Sequence, residues 1–205
     1  IKTKRERVKF ASDNVAGACP EVMDAIIKAN EGDSTPYGND QISTELQDKF
    51  SEIFEKEVIV FPTASGTAAN ALALSTMTPS FGNIYCHKLS HINTDECGAP
   101  EFYTGGGKLV TLQGIRGKIT ADKLDEAIGG KGIVHHTQPS SVSITQVCES
   151  GEVYQLEEIK KISDVAHKHN LNMHMDGARF ANALVSLDAT PAEMTWKSGI
   201  DVLSF

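Results

Sequence analysis

The sequence predicts an α/β fold with a mostly parallel sheet covered by helices on both faces. Two observations point there. Short apolar or β-branched runs alternate with helical stripes along the 205 residues, which is the pattern of strands buried on both sides. The polar and glycine-bearing motifs fall at or just after the ends of those runs, where such sheets bind their ligands.

Residues 20–30 read as a helix, with Pro20 suited to the first turn and Gly32 as a stop signal. Leu46, Phe50, Ile53 and Phe54 form the stripe of a second helix. Residues 58–61 are a short β-branched strand, 67–77 a helix of small residues, 83–86 and 108–112 strands, and 122–128 a helix. Residues 133–136 and 142–147 read as two further strands. Leu156, Ile159, Ile162 and Val165 mark the longest amphipathic helix, which ends near Asn170, and 172–175 form the next strand. Asp201-Val202-Leu203-Ser204-Phe205 reads as a buried strand in turn. No internal repeat or low-complexity segment interrupts this order.

Composition narrows the function classes. A net charge of −8, with acids and bases interspersed, provides no basic surface for nucleic acid or anionic lipid. No apolar run is long enough to span a bilayer, and residues 1–10 are too charged for a signal peptide. Four cysteines without C-x-x-C spacing read as reduced thiols in a cytoplasmic setting. The chain starts at Ile1 and stops inside a strand-like run, which suggests a fragment of something longer.

The most telling segment is His174-Met175-Asp176-Gly177-Ala178-Arg179, at the end of an apolar run. An acid and an arginine three residues apart at a strand end can face one small aromatic ligand. Pyridoxal phosphate needs such a pair, because its ring nitrogen must stay protonated and a buried carboxylate such as Asp176 holds that proton by a charge-assisted hydrogen bond. Taken alone, Asp176 and Arg179 read first as a plain ion pair. Ser65-Gly66-Thr67 shifts the balance, since it lies between a strand and an alanine-rich helix, where N–H groups and the helix dipole favour a phosphate. Simple N-capping by Ser65 accounts equally well for that serine. There is neither a Walker lysine nor a G-x-G-x-x-G fingerprint. His91, in a polar loop after a strand, has the placement to stack on a planar cofactor, although a satisfied loop histidine is the commoner case. His174 and Asp176 share a strand face, but two ligands do not make a metal site, and no metal is expected.

With these places in hand, the chain resembles the low-specificity L-threonine aldolases, in the β-eliminating lyase group of fold type I pyridoxal phosphate enzymes. The resemblance rests on Phe10-Ala11-Ser12-Asp13-Asn14, Tyr37-Gly38-Asn39-Asp40, Ser65-Gly66-Thr67, Ser90-His91 and Asp176-Gly177-Ala178-Arg179, in the family's order. It implies that residues 1–205 comprise an N-terminal segment and most of a three-layer, cofactor-binding large domain, without the C-terminal small domain. It further implies cleavage of L-threonine or L-allo-threonine to glycine and acetaldehyde. Ser65, Gly66 and Thr67 would hold the cofactor phosphate, His91 would stack on the ring, and Asp176 would pair with its nitrogen. Arg179 would meet the ring oxygen and the substrate carboxylate, with Ser12 assisting. Tyr37 would complete a neighbouring subunit's site in a homodimer or homotetramer.

Two departures follow. Where many members carry a histidine that contacts the substrate hydroxyl, this chain has Ile144-Thr145-Gln146-Val147, and Gln146 is expected to hydrogen-bond the hydroxyl without acting as its base. The family's Schiff-base lysine falls just after the segment matching residues 201–205, so this chain alone is expected to be inactive. Another β-eliminating lyase, an aminotransferase or a non-catalytic domain is the alternative.

Overall fold

The computed structural model describes Ser12 and residues 15–205; Phe10, Ala11, Asp13 and Asn14 of the first motif lie outside the described residues. Two compact units are present, Ile1–Glu45 and Leu46–Phe205. In the first, helix α1 (Pro20–Ala29) starts on a proline, carries Glu21 in its first turn and Lys28 in its last, and so matches its own dipole. Helix α2 (Gln41–Ile53) begins behind Asp40, whose carboxylate accepts the Ser43 N–H at 2.9 Å and the Ser43 hydroxyl at 2.7 Å, which is N-cap chemistry.

The second unit continues through α3 (Gly66–Met77), β1 (Gly82–His87), α4 (His91–Thr94), α5 (Ala99–Tyr103), β2 (Lys108–Leu112) and α6 (Ala121–Ala127). It proceeds with β3 (Gln138–Thr145), α7 (Leu156–Lys168), β4 (Asn172–Asp176), α8 (Phe180–Leu187), α9 (Pro191–Met194), one 3₁₀ turn and β5 (Val202–Ser204). The five strands are all parallel, in the order β2-β1-β3-β4-β5. From β1 the chain moves outward to β2, and every later strand lies on the other side. The topological switch point therefore falls between β1 and β3, and in open α/β sheets ligands bind outside the carboxyl ends of the strands at such a point.

Both faces of the sheet are covered, as expected from the sequence. Along β4, Met173 and Met175 belong to one buried cluster with Ile159, Ile162 and Ala166 of α7. His174 and Asp176, offset by one residue, point the other way, and there Asn70 of α3 reaches Asp176. Along β1, Tyr85 joins the α7-side cluster, whereas Ile84 and Cys86 pack with Leu74 of α3. Each fully buried Ile, Leu or Met contributes roughly 1.5–3 kcal/mol, so the sheet position of the site is held from both sides.

Two expected strands are absent. Residues 58–61 join no ladder. Instead the Val60 N–H donates to Gln47 Oε1 (2.9 Å) and Gln47 Nε2 donates to the Val60 carbonyl (2.8 Å), so an α2 side chain takes the place of a strand. Residues 133–136 form turns between Gly130 and Gly132, both at positive φ, and the Gln138 side chain. The Gln138 amide donates to the carbonyls of Gly130, Ile133 and His136, and its oxygen accepts the Gly132 N–H. Among the described residues no helix is long and apolar enough to cross a membrane.

Candidate active site

Three loops converge at the carboxyl ends of β1, β3 and β4, and the head of α3 joins them. Asp176 ends β4 and is buried. Its Oδ2 accepts Asn70 Nδ2 at 3.0 Å and its Oδ1 accepts the Ala178 N–H at 3.1 Å. Gly177 follows because nothing larger fits. Its N–H donates to the Ser204 carbonyl at 2.7 Å, and an added Cβ would lie 2.8 Å from that oxygen and from Leu203 Cδ1. The short turn then places Arg179, exposed, at the N-cap of α8.

Asn70 lies one turn into α3, so it ties Asp176 to the helix start that the sequence singled out. Ser65 is the N-cap, and its hydroxyl accepts the Ala68 N–H at 3.2 Å. Thus capping is real, and it leaves the first-turn N–H groups of Gly66 and Thr67 without an intrahelical partner. Open space surrounds Gly66, where a Cβ would meet nothing within 4 Å. A phosphate can approach that backbone closely.

His91 begins α4, just past β1. Its backbone N–H donates to Glu149 Oε1 at 2.7 Å, and the Thr145 hydroxyl donates to the same oxygen at 3.2 Å, which bridges the loops after β1 and β3 across the switch point. Its ring is 47% exposed, and Nδ1 lies 2.8 Å from Glu96 Oε1. Glu96 in turn accepts Asn70 Nδ2 at 2.7 Å. Partial burial works to lower the His91 pKa, but the hydrogen bond to Glu96 and the charges of Glu96, Asp176 and Asp95 together hold it above its ordinary value. His91, Glu96, Asn70 and Asp176 therefore form one hydrogen-bonded chain.

The structure corrects the expectation for Gln146. Its side chain is 0% exposed and faces the core. Nε2 donates to the Tyr154 carbonyl at 2.9 Å, and Oε1 accepts the Tyr154 N–H at 3.0 Å. This amide completes the backbone bonding of a buried turn and cannot meet a substrate hydroxyl without abandoning both bonds. In the first unit, Ser12 is exposed and its carbonyl accepts the Val15 N–H at 3.4 Å. Tyr37 is 96% exposed at φ +64°, a left-handed conformation uncommon for a bulky residue.

Asn70, Glu96 and Glu149 were not picked out from the sequence. Asn70 meets Glu96 26 residues on and Glu149 meets His91 58 residues back, and only the short helix α4, which reverses the loop after β1, makes the His91 to Glu96 spacing of five meaningful. His174 is a structural residue: Nδ1 lies 2.9 Å from Ser143 Oγ and Nε2 2.9 Å from Ser204 Oγ, so it spans β3 and β5. No group of three or more metal-ligating side chains occurs among the described residues.

A model of the family described as beta-eliminating lyase matches residues 9–205. A low specificity L-threonine aldolase of Pseudomonas sp. (strain NCIMB 10558) is 47% identical over 197 residues, which are 96% of this chain and 57% of that protein. One from Pseudomonas aeruginosa is 43% identical over the same span. Among solved structures, the Leishmania major threonine aldolase matches with a TM-score of 0.81 at 28% identity, over 87% of this chain and 53% of that one. The chain spans little more than half the length of these relatives.

Proposed function

Given that the chain belongs to the beta-eliminating lyase family, we propose that this protein is a pyridoxal phosphate-dependent aldehyde-lyase. Its reaction is the cleavage of L-threonine or L-allo-threonine into glycine and acetaldehyde. The observation that carries this reading is the Asn70 amide, which links the head of α3 to a buried Asp176. Support also comes from the 47% identity to a low specificity L-threonine aldolase.

The residues present fit the cofactor. Gly66 leaves room for a phosphate, with Ser65 and Thr67 beside it. Asp176 is a buried carboxylate already oriented by two donors, suited to hold a proton on a ring nitrogen. When bound, pyridoxal phosphate supplies an electron sink for the pair left on the glycine fragment as the Cα–Cβ bond breaks. Asp176 keeps that sink charged, so its effect is largest in the transition state. His91 would cover the ring face, and Arg179 would meet the substrate carboxylate, a planar anion that suits its fork of donors. Ser12 and Tyr37 are assigned to substrate and to a neighbouring subunit's site in a homodimer or homotetramer. The exposed and buried thiols, none of them in a disulfide, suit a cytoplasmic enzyme.

The test is a substrate screen of the full-length protein with threonine, allo-threonine and serine, with and without a keto-acid acceptor. Acetaldehyde release from threonine or allo-threonine is expected. Amino-group transfer to the keto acid without aldehyde release would overturn the reading in favour of an aminotransferase.

A further inference from the structure

Acidic side chains cluster about His91, and the roles above leave the buried Glu96 unexplained. Glu96 lies five residues after His91, and its side chain is fully buried. The turn that closes α4 brings it back beneath the ring, with the Asp95 N–H donating to the His91 carbonyl at 2.9 Å. Glu96 Oε1 receives both Asn70 Nδ2 (2.7 Å) and the His91 ring at Nδ1 (2.8 Å). Its other oxygen, and Asn70 Oδ1, have no partner among the described residues. A carboxylate removed from water in this way is costly to the fold unless it is paired. Here it is paired with the titratable ring of the site.

Building on the lyase reading, we propose that Glu96 is a positioning residue. Its buried carboxylate holds His91 as an Nδ1–H donor, so Nε2 is the ring nitrogen that exchanges protons with a bound ligand, and the shared Asn70 amide ties that setting to Asp176. The tautomer follows from the hydrogen bond: a carboxylate only accepts, so the neutral ring keeps its proton on Nδ1 and its lone pair on Nε2. With Gln146 turned into the core, a proton acceptor for the substrate hydroxyl is needed elsewhere, and the half-exposed His91 ring, bonded to Glu96 through Nδ1, leaves Nε2 for that task. The charged groups acting on the ring are Glu96, hydrogen-bonded to Nδ1, Asp176 from β4 and Asp95 at the end of its own helix, while Glu149, from the segment after β3, is held on the His91 backbone N–H. The three that act on the ring are acids, so all favour the imidazolium.

The experiment is an NMR titration of His91 in the full-length protein freed of cofactor, with ¹³C- and ¹⁵N-labelled histidine and His91→Asn to assign the signal. Glu96→Gln keeps an acceptor for Nδ1 but removes the charge, so the His91 midpoint is expected to fall by about 1 pH unit, with the Nδ1–H tautomer retained. In the loaded enzyme, the acidic limb of kcat/KM moves down by the same amount and kcat falls more than KM changes. Asn70→Ser is the second variant. It relieves Glu96 of a competing donor, so the midpoint rises, the opposite direction to Glu96→Gln. A His91 midpoint unmoved in both variants, or a tautomer that is Nε2–H in the parent protein, would overturn the proposal. The titration is independent of turnover: absence of aldehyde release from every substrate sinks the lyase reading, whereas the midpoints still decide the role of Glu96.

Discussion

His91 and His174 both feel the charge of Asp176, yet their surroundings drive them in opposite directions. His91 sits at the rim, partly in water, against a buried carboxylate, and its pKa rises. His174 sits inside the sheet between two serine hydroxyls, and burial pushes it down to about 4 in spite of Asp176. One acid thus serves two imidazoles, and desolvation against hydrogen-bonded charge decides which of them carries a proton. Under the lyase reading the site side of β4 needs a ring that can gain and lose a proton, whereas the sheet interior needs one that stays neutral.

The largest effect comes from removing the shared acid. Asp176→Asn is expected to abolish turnover, a loss on the order of 10³-fold or more, while both histidine midpoints move down in the NMR titration. Near-normal activity in that variant would remove Asp176 from the cofactor role. Next is Gln146→Ala, which strips the partners from the buried Tyr154 N–H and carbonyl. A stability loss of about 2–6 kcal/mol in urea unfolding is expected, at roughly 1–3 kcal/mol per orphaned group, with KM for threonine unchanged. A raised KM at unchanged stability would return Gln146 to the substrate.

The comparison also predicts a pH dependence. The folded pKa of His174 lies near 4, below its ordinary value of 6.5, so the unfolded chain binds the extra proton between those values. Stability from this group is full above pH 6.5 and is lost as the pH falls toward 4, by about 2 kcal/mol between pH 7 and 5. Urea unfolding at the two pH values measures it, and His174→Asn flattens the difference. His91 has the opposite sign. Its contribution is full below pH 6.5 and fades as the pH rises through its raised folded value. The smallest effect belongs to Ser65→Ala, which removes the cap on α3 at a cost of about 1 kcal/mol and, under the lyase reading, weakens cofactor binding in a fluorescence titration.

Much of this architecture was legible in the sequence, because periodicity reports local burial. The apolar alternation of residues 108–112 predicts a strand, and they form β2 with those bounds, while the α7 stripe of Ile159 and Ile162 is the core face of that helix. The failures share a cause. Residues 58–61 and 133–136 have β-branched or apolar composition, but strand formation needs a partner in register, and composition cannot specify one. Asp176, His91 and the head of α3 were visible as strand-end motifs. Glu96 and Asn70 were not, since a carboxylate five residues past a histidine and an asparagine within an alanine-rich helix are ordinary until the fold brings them within 2.7 Å of each other. Gln146 shows a related limit: position along the chain says where the backbone goes, not that this amide turns inward to Tyr154.

The Gln47 bonds to Val60 also bear on how the protein behaves in a crowded solution. Residues 58–61, Val-Ile-Val-Phe, are uncharged and rich in β-formers, and Ile59 and Phe61 are 76% and 77% exposed, a combination that invites a foreign strand to dock and seed aggregates. By occupying both the donor and the acceptor of Val60, one glutamine works as a gatekeeper, denying an incoming chain the central rung of its ladder.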